Sequence, residues 1–262
     1  MKTAYHDEFL PVVDSTNRRA RLLADQGAPH GSGVRADRQT AGRGRLSRTW
    51  YSPAGRNLYC SYILRPRLSP AAYPRLTMVA GLAAAELLQR CSPGVRVGLK
   101  WPNDLMIGGK KCGGILCESS VDHTDDSHSF AIVGIGINLN LTSEEMPAAL
   151  RSIATSLAIE GAPPVDAAVM FTALRDQLLA DVAVFETEGF QEVLTRWRRF
   201  DVLAGKRATW VAQTGEVVAG VSLGPDEKGL LRIEDESGVI HTVVSGDISM
   251  AGKQGTNRGS AD

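Results

Sequence analysis

Residues 42–50 read Gly42-Arg43-Gly44-Arg45-Leu46-Ser47-Arg48-Thr49-Trp50. Arg43, Arg45, Arg48 and a terminal indole share a loop whose glycines let backbone and guanidinium groups close on an anion, which is the chemistry of a phosphate and carboxylate clamp. Alone, an Arg/Gly loop of this kind is more often a solvated turn or a nonspecific nucleic-acid patch. Its company changes the reading. Asp14-Ser15-Thr16-Asn17 lies upstream. Downstream come Lys100-Trp101-Pro102-Asn103-Asp104, then Lys110-Lys111-Cys112-Gly113-Gly114-Ile115-Leu116-Cys117-Glu118, then Gly134-Ile135-Gly136-Ile137-Asn138-Leu139-Asn140.

The basic loop is a local device, because Lys+Arg and Asp+Glu each number 29 and the formal net charge is zero. Nothing global favours nucleic acid or an anionic membrane. The chain has 262 residues, 43% of them hydrophobic, enough for one large domain and a small one. Tyr5, His6, Asp7 and Glu8 interrupt any N-terminal apolar run, and no segment approaches the roughly 20 apolar residues of a membrane span. The expected location is the cytoplasm. Cys60, Cys91, Cys112 and Cys117 form neither a CxxC pair nor a dense framework, so they read as small core hydrophobes in a reducing compartment and zinc is not expected.

Hydrophobic periodicity predicts a helix over Arg18 to Gln26, capped by Ser15 or Thr16 and ended by Gly27. A second is predicted where Ser69 caps, Pro70 takes the first helical position, and Leu76, Val79, Ala80, Ala83 and Leu87 fall on one face. Strands are expected at Val34 to Gln39, Asn57 to Leu64, Val95 to Lys100, Leu105 to Ile107, Gly114 to Ser119 and Phe130 to Leu139, with a Gly108-Gly109 hairpin. Two further helices are expected over Asp166 to Glu188 and Phe190 to Phe200, with Val169, Leu174, Leu178, Val182 and Phe185 on an apolar stripe. After Phe200 short strands recur every 8 to 12 residues, with turns at Thr214-Gly215, Gly224-Pro225-Asp226 and Ser237-Gly238, a spacing that predicts a small β-barrel over 201–250. Residues 251–262, rich in Gly, Ser and Asn, read as a disordered tail.

In order and spacing, these motifs resemble the biotin protein ligases over most of residues 12–250. The resemblance implies an α+β catalytic domain of the class II aminoacyl-tRNA synthetase and biotin ligase type over 1–200, followed by an SH3-like C-terminal barrel. It implies a two-step reaction in which biotin and MgATP give biotinyl-5′-AMP and pyrophosphate, and biotin then passes to a lysine of the biotin carboxyl carrier protein of acetyl-CoA carboxylase or a related carboxylase. Biotin binding falls to Ser15, Thr16, Asn17, Gln39, Arg43, Gly44, Arg45 and Lys111. ATP binding falls to Arg45, Arg48, Trp50, Asn103, Asp104, Lys111 and Asn138, with Lys111 and Arg45 as the catalytic cations. Magnesium accompanies the nucleotide, its protein ligands undefined.

The physics agrees with that assignment. A carboxylate brought against a polyphosphate needs fixed cations, and at about 4 Å and an effective dielectric near 20 each charge pair contributes on the order of 4 kcal/mol before desolvation. A buried urea needs both donors and acceptors. The glycines Gly134 and Gly136 read first as a strand packed tightly on its neighbour, and no third glycine opens a helix as a dinucleotide fold requires. Asp14, Trp101 and Glu118 read as structural, and Lys110 as a solvent-facing hairpin residue.

The chain departs from the family pattern in carrying Leu46 where a basic residue is frequent and Ser47 where glycine is usual, a strained choice if that position needs positive φ. It has Ala251 where an arginine is often found, which removes an expected C-terminal contact to the nucleotide. The stretch before Asp14 is too short for a winged helix-turn-helix, so repressor function, DNA and membrane are not expected, and the protein is expected to be a monomer or weak homodimer. A lipoate ligase shares the fold, but the full Gly-Arg-Gly-Arg run with Lys-Trp-Pro-Asn-Asp argues against it. A noncatalytic biotin-binding module has no use for Arg45, Arg48, Trp50, Asn103, Asp104 and Lys111 together.

Overall fold

A computed structural model describes residues 5–121, 129–211, 216–244 and 247–250. Its large sheet is built from β1 (Glu8–Val13), β2 (Gly33–Gln39), β3 (Leu58–Leu64), β4 (Val97–Lys100), β5 (Asp104–Ile107), β6 (Lys110–Ser120) and β7 (Phe130–Ile137), in the order β1-β2-β3-β7-β6-β5-β4. Only the β1–β2 pairing is parallel among these neighbours. β3 and β7 are central and read as almost unbroken apolar runs because both faces are covered over much of their length.

The two-residue period of a strand sorts their side chains. Leu58, Cys60, Tyr62 and Leu64, with Ala131, Val133, Ile135 and Ile137, join one large core together with α2 (Leu76–Cys91) and α3 (Ala167–Glu188). On the opposite face Ile63, Phe130 and Ile132 pack with Val34 beneath Ala20, Leu23 and Ala24 of α1 (Thr16–Asp25). That helix is short. Beyond its N-terminus the same face carries Tyr59, Ser61, Gly114, Leu116, Gly134 and Gly136, and this uncovered half of the sheet becomes the floor of the site.

A fourth helix, α4 (Phe190–Trp197), leads to a second sheet of β8 (Arg207–Val211), β9 (Val217–Pro225), β10 (Leu231–Glu234), β11 (Ile240–Val243) and β12 (Asp247–Met250). These strands run antiparallel in the order β11-β10-β9-β8-β12 and form an open sheet among the described residues, not the closed barrel that the turn spacing suggested. The sheets meet where Val202 N donates to Leu99 O at 2.9 Å and Trp101 Nε1 donates to Gly229 O at 2.9 Å.

Three local expectations change. Residues Pro70–Arg75 form a 3-10 turn before α2, because Pro74 has no N–H to continue an α-helical ladder from Ser69. Val169 is 67% exposed, and the buried stripe of α3 runs instead through Met170, Phe171, Leu174, Leu178, Val182 and Phe185. The helix is capped by Asp166, whose Oδ1 accepts from Ala168 N and Val169 N, which turns Val169 outward in the first turn. Cys91 is exposed, unlike the buried Cys60 and Cys112. Thr214-Gly215, Ala251 and the 251–262 tail lie outside the described residues. No helix among the described residues is long and apolar enough to cross a membrane.

Candidate active site

One cavity of about 730 Å³ is lined by Ser15, Thr16, Asn17, Gln39, Arg43, Gly44, Arg45, Arg48, Trp50, Asn103, Asp104, Lys111 and Asn138, so every site residue expected from the sequence reaches the same space. Part of the floor is bare backbone, at three glycines. A Cβ on Gly134 would sit 2.0 Å from Asn17 Oδ1, and one on Gly136 would sit 2.7 Å from Trp50 Nε1. Gly114 lies opposite Gly136 across the β6–β7 ladder, and a Cβ there would press on Lys111 Cε at 3.2 Å. The tight packing anticipated for the glycines is real, and what packs on them is the site itself.

At one end the start of α1 meets the end of β2. Thr16 N and Oγ1 both donate toward Gln39 Oε1, at 2.9 and 3.2 Å, while Gln39 Nε2 donates to Ser52 Oγ at 3.1 Å. Asn17 Nδ2 donates to Leu116 O at 3.2 Å and to Glu118 Oε2 at 2.7 Å, which turns its Oδ1 toward Ser61 Oγ at 2.7 Å. Ser61 Oγ also lies 2.8 Å from Thr16 Oγ1. The hydroxyls of Thr16 and Ser61 hold one proton each, yet they share contacts with Gln39 Oε1, Asn17 Oδ1 and each other, so one contact lacks a proton. The cluster is rich in acceptors. A ligand N–H directed at it supplies what is missing.

Arg43 reaches back to this cluster, pairing with Glu118 at 2.7 Å. Toward the other end, Lys111 Nζ pairs with Asp104 Oδ1 at 2.5 Å while standing 5.4 Å from the centre of the Trp50 ring. Arg45 donates to Asn103 Oδ1 at 3.2 Å, and Asn103 Nδ2 donates to Ile115 O at 2.9 Å. Trp50 Nε1 is buried without a hydrogen-bond partner among the described residues. The backbone on both sides of Lys111 is clamped, since its N–H donates to Ile153 O and its carbonyl accepts from Thr155 N, each at 2.9 Å. Asn138 belongs to the same clamp: its Nδ2 donates to Thr155 O at 2.8 Å.

The Arg/Gly loop is a narrow hairpin, with Gly44 N donating to Arg48 O at 2.7 Å and Trp50 N to Gly42 O at 2.9 Å. At its tip Leu46 and Ser47 have φ of 54° and 59°. The left-handed conformation suspected at Ser47 is therefore present and extends to Leu46, at a cost of order 1 kcal/mol or more for each residue. Burial pushes the thiols of Cys60, on the cavity wall, and Cys112 up to about 12, so neither supplies a thiolate nucleophile near neutral pH.

Residues 9–138 match the profile of the biotin/lipoate A/B protein ligase family. The biotin--[acetyl-CoA-carboxylase] ligase of Paracoccus denitrificans is 33% identical over 235 residues, covering 88% of this chain and 95% of that protein. The chain belongs to the biotin protein ligase family. The bifunctional ligase/repressor BirA of Bacillus subtilis (strain 168) is 35% identical to this ligase over 246 residues, which cover 94% of this chain and 73% of that protein. A solved structure of the Aquifex aeolicus biotin protein ligase, in complex with biotin and ATP, superposes with a TM-score of 0.78 at 31% identity, covering 94% of this chain and 98% of that one.

Two residues that read as structural from the sequence bear on the site: Trp101 lines the wall as well as bracing the second sheet, and Glu118 touches both Asn17 and Arg43, which line the cavity. Ser61, which the sequence did not single out, closes the polar cluster beneath them. Alternation along β6, which puts Glu118 on the same face as Gly114 and Leu116, carried a signal for Glu118; Ser61, inside an apolar strand, carried almost none. Asp14 stays at the rim, where the Arg18 guanidinium and the Ser15 N–H hold its carboxyl below the usual range.

Proposed function

We propose that this ligase activates biotin with MgATP and transfers it to a lysine of a biotin carboxyl carrier protein. The observation that carries the reading is a cavity with an acceptor-rich polar cluster at one end, Arg45, Arg48 and Lys111 toward the other, and Arg43 reaching back to the cluster through Glu118. The ureido ring of biotin offers the N–H donors that the Ser15, Thr16, Asn17 and Gln39 end lacks, and its valerate chain reaches toward the cations. The carboxylate oxygen attacks the α-phosphorus, the bond to the bridging oxygen breaks, and pyrophosphate leaves with that electron pair. Then the lysine amine attacks the activated carbonyl, AMP departs, and the amine gives up its proton as the amide forms.

Lys111 and Arg45 stabilise charge that shifts onto the α-phosphoryl oxygens during the first step. Asp104 and Asn103 hold these cations in place, and the incoming carboxylate and phosphate compete for the same N–H groups. Trp50, Arg48 and Asn138 complete the nucleotide end. Among the described residues no group of three His, Cys, Asp or Glu could hold a metal. Asp104, the one carboxylate among the described residues that line the cavity, fits a magnesium ion that arrives on the nucleotide, since such ions bind through one or two carboxylates plus phosphates and water. That ion supplies neutralisation of the polyphosphate charge.

The same reading takes the fold as that of the class II aminoacyl-tRNA synthetase and biotin ligase type, divided near residue 200. It takes the C-terminal sheet as SH3-like, supported by one buried layer drawn from all five strands: Ala208, Val218, Leu231, Ile233, Val243 and Ile248. The activity requires neither DNA nor a membrane and suits a cytoplasmic monomer or weak homodimer. Net charge of zero supports that. Pyrophosphate exchange into ATP tests the function: exchange is expected only with biotin and magnesium, and exchange driven by lipoate alone would overturn it. Sequence-selective, salt-resistant retention of duplex DNA would contradict the proposed independence from DNA.

A further inference from the structure

We propose that Glu118 is the positioning residue that ties the cationic loop to the polar end of the cavity, an inference that rests on the proposed biotin activation. One atom does this. Glu118 Oε2 accepts from Asn17 Nδ2 and from Arg43 NH2, each at 2.7 Å. Asn17 is 4% exposed and its Nδ2 has only Leu116 O as a second acceptor, so the carboxylate decides which way the amide faces and keeps Oδ1 on Ser61 and the cavity. Arg43 is an exposed loop residue, and the carboxylate is the charge that draws the loop down over the floor.

The strand explains why this side chain is available. Gly114, Leu116 and Glu118 project from one face of β6, opposite Gly136, Gly134 and Ile132 of β7. Gly134 supplies the space that Asn17 occupies, and Glu118 stands just beyond it. A ligand that engages Asn17 therefore alters the environment of the same oxygen that holds Arg43, and loop closure and polar recognition share one carboxylate. Glu118 acts through these partners and touches no reacting atom in this arrangement.

Glu118→Gln keeps a carbonyl acceptor for Asn17 and removes the charge that holds Arg43; Glu118→Ala removes both. Trypsin cleavage after Arg45 or Arg48 in the ligand-free protein is expected to accelerate about three- to tenfold in both variants, the scale of a partly exposed ion pair with a charged hydrogen bond. The biotin KM in pyrophosphate exchange is expected to rise about threefold in Glu118→Gln and tenfold or more in Glu118→Ala, with kcat within about twofold in each. A merely structural role predicts lowered thermal stability with an unchanged KM. Cleavage rates equal to the parent's in Glu118→Gln, with circular dichroism showing a folded protein, would overturn the latch. If the parent itself shows no biotin-dependent exchange, the proposed function fails, while the ligand-free cleavage rates still decide whether Glu118 holds the loop.

Discussion

The two ends of the cavity are built on opposite plans. The polar end is buried: Ser15, Thr16 and Asn17 are each 4% exposed, the partners of Thr16 and Asn17 come from β2, β3 and β6, and the Gly134 floor leaves no slack beneath Asn17. Three of the four cations ride instead on a hairpin whose tip is left-handed at Leu46 and Ser47, with Arg43 and Arg48 exposed and Arg45 half-buried. Selection among ligands needs groups that do not yield, because an unmet buried donor or acceptor rejects the wrong partner. Phosphoryl chemistry needs charge that closes over an anion after it arrives and excludes water. The difference assigns discrimination to the sheet and closure to the loop.

The sharpest way to break this division is at Lys111, which belongs to the cationic set yet sits on a strand. Lys111→Ala is expected to lower the adenylation rate constant by about 10² or more, the scale of a lost electrostatic donor, with a smaller change in biotin binding. Single-turnover formation of the adenylate measures it, and an unchanged rate constant removes Lys111 from the catalytic list.

Next comes the floor. Gly134→Ala places a methyl group against Asn17 and is expected to raise the biotin KM about 10- to 100-fold through the misplaced amide, with an overpacking cost of about 1–3 kcal/mol. Thermal unfolding and exchange kinetics on the same sample separate the effects; a normal KM in a folded variant would show that Asn17 has room to retreat. Gln39→Ala is expected to act on binding alone, raising the biotin KM about tenfold and leaving kcat in place. A fall in kcat with constant KM would move Gln39 out of the recognition end.

The smallest effect belongs to the loop backbone. Ser47→Gly relieves a left-handed φ of 59° and is expected to favour the hairpin by about 1 kcal/mol, offset in part by the freedom glycine gains in the open loop. Biotin with ATP is expected to slow trypsin cleavage after Arg45 and Arg48 strongly, and the variant to show slightly slower cleavage than the parent without ligand. Cleavage indifferent to ligands would mean that the hairpin does not close on them.

Several elements were legible before any coordinates because their signals are local. The Gly108-Gly109 hairpin needs positive φ at both residues and has 56° and 76°. The apolar face of α2 at Leu76, Val79, Ala80, Ala83 and Leu87 is buried as its spacing required. β1 was not foreseen. Its six residues include Pro11 and expose Phe9 and Val12, so alternation fails even though Phe9, Val12 and Val13 favour a strand, and parallel pairing to β2 makes it one. Val169 was misplaced because helical spacing alone does not say where the Asp166 cap sets the rotation of the first turn.

What the sequence determined by itself was residue chemistry at short range: the guanidinium and ammonium groups of Arg43, Arg45, Arg48 and Lys111, the amide and hydroxyl set at Ser15–Asn17 and Gln39, and the helices and strands that carry them. What only the tertiary structure decided was which of these share an oxygen. Asn17, Arg43 and Glu118 are far apart in the chain, and their meeting depends on the β6–β7 register and on Gly134 having no side chain. Local propensity acts over a few residues, whereas register and face assignment follow from packing of the whole sheet, so those contacts exist only once the core has closed.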